Sequence, residues 1–283
     1  MSMVMNMNAH HAKEPAMSQP MTPPVLTEIR MGVGYVTLNR PERHNAFNAA
    51  MIAALEQAFQ VMGANPAVRV VVLAARGASF CAGADLEWMK AAAAQDEASN
   101  LQDARQLAAM LQVLASLPKP VIACVQGAAY GGGVGLVAAC DIAMATQESV
   151  FALSEVRLGL IPATIAPYVI AAIGVRQAQR YMLTAERFSA RVAQDMGLLH
   201  EVVVDADALD ARLQALLQTL LANGPAAMAA CKRLLAALSN QPVSADLVEE
   251  TARRIAATRA TAEAQEGLAA FFERRAPGWQ TGG

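Results

Sequence analysis

The chain has 283 residues, 55 % of them hydrophobic and 16 % charged, with a formal net charge of −2 at pH 7. That length and apolar share suffice for one large domain with a deep core and a subunit interface. The near-neutral balance excludes the basic footprint that nucleic acid or an anionic membrane selects.

In chain order, residues 1–24 are rich in Met, Pro, His, Ala and Ser and lack both a basic start and an apolar h-region, so they read as a disordered leader rather than a signal peptide. A core domain is expected over 25–200. It opens with a hairpin, in which Val25–Arg30 and Tyr35–Asn39 alternate around a turn at Met31–Gly34. Met51, Leu55, Phe59 and Met62 recur at helical spacing, which predicts a helix over about 49–62. Val68–Ala74 and Pro120–Val125 are unbroken apolar runs, as in strands buried on both faces. Between them a helix is expected over about 99–117. Gly127–Gly133 is read as the opening of a helix that reaches Ala139, with a strand following at Asp141–Ala145. Serial β-then-α units imply an α/β sheet with right-handed crossovers. Over 201–283 helical patterns dominate, at about 206–222, 225–238 and 244–267, preceded by one at 189–196 and a strand-like piece at His200–Val204. No run reaches the ~18 apolar residues of a membrane span. Cys81, Cys124, Cys140 and Cys231 have no C-x-x-C spacing, and His44 and His200 fit no ligand pattern. Reduced, buried thiols, no metal and a cytoplasmic location are therefore expected.

Three segments carry the candidate chemistry. In Ser79–Leu86 a buried strand leads into small residues, Ala82, Gly83 and Ala84, that let a ligand approach the main chain, and Asp85 can cap a following helix. An ordinary strand-to-helix turn would look the same. In Gln126–Gly135, Gly131, Gly132 and Gly133 present bare N–H donors at a helix start, a natural anion site, although close helix packing is an equal alternative. Neither a P-loop nor a dinucleotide fingerprint is present. In Phe151–Pro162, Glu155 is a lone glutamate in an apolar stretch. Burial would raise its pKa towards a range useful for proton transfer, whereas pairing with Arg157 would make it an ordinary loop residue. Two backbone donors and one carboxylate are the minimum for chemistry at the α-carbon of a thioester.

These segments, with Leu38–Pro41, Asn45-Ala46, Cys140-Asp141 and Phe272–Arg275, resemble the enoyl-CoA hydratase/isomerase (crotonase) family from about Val25 to the C-terminus. The resemblance implies a spiral of ββα units with a helical C-terminal region that builds a trimer or hexamer. It implies an acyl-CoA substrate whose thioester oxygen is held by the N–H groups of Ala84 and Gly132, and no cofactor beyond the CoA of the substrate. Glu155 would be the catalytic acid/base. Ala82, Asp85, Leu86, Gly131 and Gly135 would line the substrate site, with the CoA adenine end near Arg43 and Ala46 and its pocket completed by Phe272. Family hydratases carry a second glutamate two residues after the glycine triplet, where this chain has Gly135. Water addition, Δ3,Δ2 isomerisation by a single glutamate, and acyl-CoA or RNA binding without catalysis all follow from parts of this pattern. Phe80–Lys90 and Leu153–Tyr168 are similar to bacterial methylglutaconyl-CoA and isohexenylglutaconyl-CoA hydratases, a subgroup that also tends to have Gly at the position of Gly135. This resemblance implies hydration of a branched glutaconyl-type substrate, with Arg157 or Arg180 as possible partners of its distal carboxylate.

Overall fold

The computed structural model describes residues 22–239 and 241–281, so residues 1–21 of the expected leader lie outside the described residues. A six-stranded sheet in the order β1-β2-β3-β4-β6-β9 forms the centre, from β1 (Val25–Arg30), β2 (Val33–Leu38), β3 (Val70–Ala75), β4 (Val121–Val125), β6 (Ile142–Thr146) and β9 (Glu201–Val203). The β1–β2 pair is antiparallel, and all later pairs in this sheet are parallel. The hairpin turn is tighter than expected. Met31 and Gly32 both adopt positive φ, as a two-residue turn of the type that suits strand twist requires. Gly34 therefore belongs to β2, where a Cβ would stand 2.6 Å from Met62 Sδ on helix α1 (Ala49–Ala64).

Alternation along the parallel strands divides the core in two. Val71, Leu73, Val121, Ala123 and Val125 face one cluster, with α1, α3 (Glu97–Ser116) and α4 (Gly132–Ala139). Val70, Val72, Ile122 and Cys124 face the other, closed by Leu209, Leu213 and Leu217 at i, i+4 and i+8 of α7 (Ala206–Leu221). The apolar runs in β3 and β4 thus follow from a sheet covered on both faces.

A second sheet, β5-β7-β8, is built from β5 (Ala128–Tyr130), β7 (Val150–Ala152) and β8 (Phe188–Ser189). It corrects the helix start expected at 127. Gly127 takes φ +62° with Ala78 O pressed against it, and Ala128–Tyr130 pair with β7 before the helix begins at Gly132. Two other expectations change. The helix expected over 244–267 is two, α9 (Ala245–Arg259) and α10 (Ala262–Glu273), because the Thr261 hydroxyl caps Ala264 N and starts a new helix. A long helix not foreseen from sequence, α5 (Ala166–Thr184), follows Pro162 and bends at Gly174. The other helices include α2 (Leu86–Ala92), α6 (Ala190–Asp195) and the longer α8 (Pro225–Leu238). The thiols are less uniform than expected: Cys81 and Cys124 are buried, Cys140 is half-buried and Cys231 is exposed. Burial pushes the Cys81 thiol up to about 12, which leaves it protonated and inert. No described helix is long and apolar enough to cross a membrane.

Helix α7 covers the second core face around Leu213. Leu213→Ala should cost ~2–5 kcal/mol through lost burial and a residual cavity, read as a lower urea midpoint with an unchanged m-value.

Candidate active site

The first donor loop is tied down from both sides. Phe47 N–H donates to Gly83 O at 2.7 Å and Asp85 N–H to Phe47 O at 2.8 Å, a parallel bridge between Phe47 and Ala84. In such a bridge the opposing residue's own N–H points away from its partner strand. The Ala84 N–H accordingly has no acceptor among the described residues. Cys81 N–H donates to Ala128 O, and Tyr130 N–H donates to Cys81 O, which fastens the loop to β5. Asp85 is buried, caps α2 by accepting from Glu87 N at 2.9 Å, and pairs with Arg40 Nη2 at 2.9 Å. Burial opposes ionisation of Asp85, but the Arg40 guanidinium and the helix N–H groups outweigh it and hold the carboxyl below its ordinary range. Arg40 also reaches Ala46 O at 2.6 Å, so a single guanidinium joins the Phe47 segment to the donor loop.

The second loop ends at the start of α4. Gly131 N–H donates to Ala152 O, and the next N–H, that of Gly132, is at the first helical position and has no intrahelical acceptor. Small size is forced here by close approach. A Cβ at Gly132 would stand 2.5 Å from Phe47 Cε2, and one at Gly133 would stand 2.5 Å from Cys81 O. Both loops therefore meet main chain to main chain, with their free N–H groups at one cavity.

Glu155 begins a 3₁₀ turn (Glu155–Leu158) after β7. Its Oε1 lies 2.8 Å from where a Cβ on Gly131 would be, and its Oε2 is buried with no hydrogen-bond partner. Arg157 is exposed and makes no ion pair with it, so the ordinary loop pairing does not occur. Burial pushes the Glu155 carboxyl up, against a smaller opposing pull from its own backbone.

These groups line one cavity of about 360 Å³. Ala82, Ala84, Gly131, Gly132 and Glu155 are all on its wall, with Trp88 and Leu107 from α2 and α3 opposite. The other expected site residues lie elsewhere. Asp85 is engaged by Arg40, Ala46 is buried, and Gly135 is buried inside α4. Arg43 is exposed, and Leu86 and Phe272 are each 76 % exposed, all three outside the cavity lining of their own chain. A hollow of about 510 Å³ between the C-terminal helices includes Glu263, but that carboxylate already accepts from Ala226 and Ala227 N–H groups. No group of three metal-ligating side chains occurs among the described residues.

Residues 28–282 match the enoyl-CoA hydratase/isomerase family. The chain belongs to that family. It is 44 % identical to the crystal structure of an enoyl-CoA hydratase from Shewanella pealeana, with a TM-score of 0.88 over 90 % of this chain and 96 % of that one. It is 38 % identical to AtuE of Pseudomonas aeruginosa, with a TM-score of 0.87 over 91 % and 99 % of the two chains. Among curated relatives, the 2,3-dehydroadipyl-CoA hydratase of Escherichia coli is 33 % identical over 244 residues, 86 % of this chain and 92 % of that protein. The fold is thus that of the crotonases, whose members bind acyl-CoA substrates, and the activity belongs to the enoyl-CoA hydratase/isomerase class.

Within that family fold, Gly135 has a local cause. A Cβ there would collide with Ile165 Cγ2 and stand 2.8 Å from Ile165 Cβ. Ile165 is buried, packs into the core beside α4 and lines the cavity. The space in which a side chain from position 135 would begin is filled by an apolar one from the residue just before α5. Sequence reading gave the glycine but not its partner, because the contact joins positions thirty residues apart. Gly135→Ala should destabilise by ~1–3 kcal/mol through overpacking. Ile165→Ala in the same chain should recover part of that loss, so that a double-mutant cycle by chemical denaturation shows coupling between the two sites.

Proposed function

We propose that this protein adds water across the double bond of an α,β-unsaturated acyl-CoA, holding the thioester oxygen in the Ala84 and Gly132 N–H groups while Glu155 delivers the proton to the α-carbon. The observation that carries this reading is the convergence of two acceptor-free N–H groups and a buried carboxylate oxygen with no partner on one cavity. As charge moves onto the thioester oxygen, two preorganised donors stabilise it, each typically contributing ~10²–10³ in rate. Raised by burial, the Glu155 carboxyl keeps more of its protonated form near neutral pH than an exposed glutamate would, which suits proton delivery to an enolate.

For the acyl group, a branched glutaconyl-type chain is the finer reading. Its support is that the two segments resembling glutaconyl-CoA hydratases supply most of this cavity, Ala82 to Met89 on one side and Ser154 to Ile165 on the other. Among the described residues, no lysine or arginine lines the cavity. Arg180 is engaged by Glu186, and Arg157 is exposed. On this reading the distal carboxylate of such a chain would lie at the solvated rim rather than in a buried ion pair. Isomerisation of a 3-enoyl-CoA is the second reading, favoured by the apolar filling beside Gly135, since one base can move a proton between carbons. Assembly into a homo-oligomer is part of the proposal as well. It is supported by exposed Phe271, Phe272 and Leu268 on α10, and light scattering of the purified protein tests it.

Turnover on crotonyl-CoA, a 3-enoyl-CoA and 3-methylglutaconyl-CoA separates these readings. Hydration of the third at the highest kcat/KM is the expected result, and double-bond migration without water uptake would replace hydration by isomerisation. Glu155→Gln should lower kcat by ~10²–10⁴, and an unchanged kcat would remove Glu155 from the chemistry. The same variant has a second readout. Because the folded carboxyl holds its proton more tightly than the unfolded one, wild-type stability declines as pH rises from the ordinary carboxylate range through the raised value. Glutamine does not titrate, so Glu155→Gln should melt higher than wild type near neutral pH, and the gap should close in acid.

A further inference from the structure

The cavity holds a second carboxylate that the reading above leaves unused. Asp103 lies in the middle of α3, and with Asn100, Ala104 and Leu107 it turns one face of that helix towards the site. Among the described residues, Asp103 and Glu155 are the only ionisable side chains on the cavity wall.

Nothing structural accounts for an aspartate at this place. It is half-buried, yet it accepts no hydrogen bond and enters no ion pair with any described residue. Its helical neighbours at i±3 and i±4 are Ser99, Asn100, Gln106 and Leu107, none of them a cation. It is too far into the helix to serve as a cap, a role that Asp96 fills at the start of α3 by accepting from Ser99 N at 2.8 Å. Asn100 beside it is committed to the main chain, donating to Ala92 O at 3.1 Å. Aspartate in a helix interior is also unfavourable by propensity. An unpartnered carboxylate that costs helix stability and faces a cavity is available to something bound there.

Hydration needs two proton movements. The attacking water must lose a proton as its oxygen bonds to the β-carbon, and the α-carbon must gain one. A carboxylate on α4 at position 135 is excluded by Ile165. We infer that Asp103 is the second catalytic carboxylate, holding the water and taking its proton while Glu155 protonates the α-carbon. In this step the water O–H bond breaks towards Asp103, and the oxygen forms the bond to the β-carbon. The π electrons pass to the thioester oxygen held by Ala84 and Gly132. The enolate then takes the Glu155 proton at the α-carbon. Solvent returns the proton on Asp103 to Glu155, so that one water is consumed and both carboxyls are regenerated. This inference rests on the hydration reading, and it divides between two residues the work that a lone glutamate would otherwise perform.

The test compares wild type with Asp103→Asn, an isosteric change on a helix face, and with Glu155→Gln. Two reactions are followed: hydration of the best enoyl-CoA substrate, and exchange of the α-hydrogen of the matching saturated acyl-CoA in deuterium oxide. Exchange needs the donor loops and Glu155 but no attacking water. Asp103→Asn should lose ~10²-fold or more in hydration kcat with KM little changed, and should retain exchange at the wild-type rate. Hydration by Asp103→Asn within a few-fold of wild type overturns the inference and leaves the hydration reading standing. Equal loss of hydration and exchange also overturns it, because that pattern marks a structural role. Wild-type protein that exchanges the α-hydrogen but hydrates none of the esters overturns both readings.

Discussion

Everything at the site depends on the close approach of two main-chain segments, Cys81–Asp85 and Tyr130–Gly133. Gly133 lies against Cys81 O so closely that no side chain fits between them, and Gly132 lies equally close to the Phe47 ring. Only this contact lets two N–H groups, one at a strand-like bridge and one at a helix start, point into the same space. Donors fixed before the substrate arrives need no reorganisation as charge develops, which is why geometry of this kind is worth more than the same groups on mobile side chains. The Arg40–Asp85 pair, the Phe47–Ala84 bridge and the β5 pairing all hold the first loop at that distance.

The remainder of the fold supplies a floor and a wall. The parallel sheet, covered on both faces, fixes the ends of β4 and β6 from which β5, α4 and β7 depart. Glu155 is carried by the turn after β7, so its register with Gly131 is set by sheet pairing rather than by a free loop. The opposite wall is helical, from α2 and α3, and mostly apolar. Water that enters meets few groups able to hold it, and this makes the one unengaged carboxylate there conspicuous.

Much of this was legible in the sequence, for identifiable reasons. Val70–Leu73 and Val121–Val125 are apolar without interruption because both faces are covered, and a run of that kind has few other readings. The cap at Asp85 is a local feature, the donor roles of Ala84 and Gly132 come from the family resemblance, and the sequence leaves Glu155 open between burial and a pair with Arg157. What escaped has a tertiary cause. Ala128–Tyr130 becomes a strand only because β7 is beside it, and α5 begins in a stretch whose Pro and Ala content carries little periodicity. The break at Thr261 is decided by one hydroxyl that competes with the helix backbone. Asp103 carries no motif, and only the cavity behind it sets it apart from other helix carboxylates.

The Gly135–Ile165 contact has a consequence for how such sites diversify. Position 135 cannot take a side chain at ease while Ile165 is unchanged, since a Cβ there already meets it. With Ile165 in place, a longer residue at position 135 carries an overpacking cost that a single substitution does not remove. Change in the reaction is more readily made on the facing wall, where Asn100 and Asp103 of α3 line the cavity without belonging to the core.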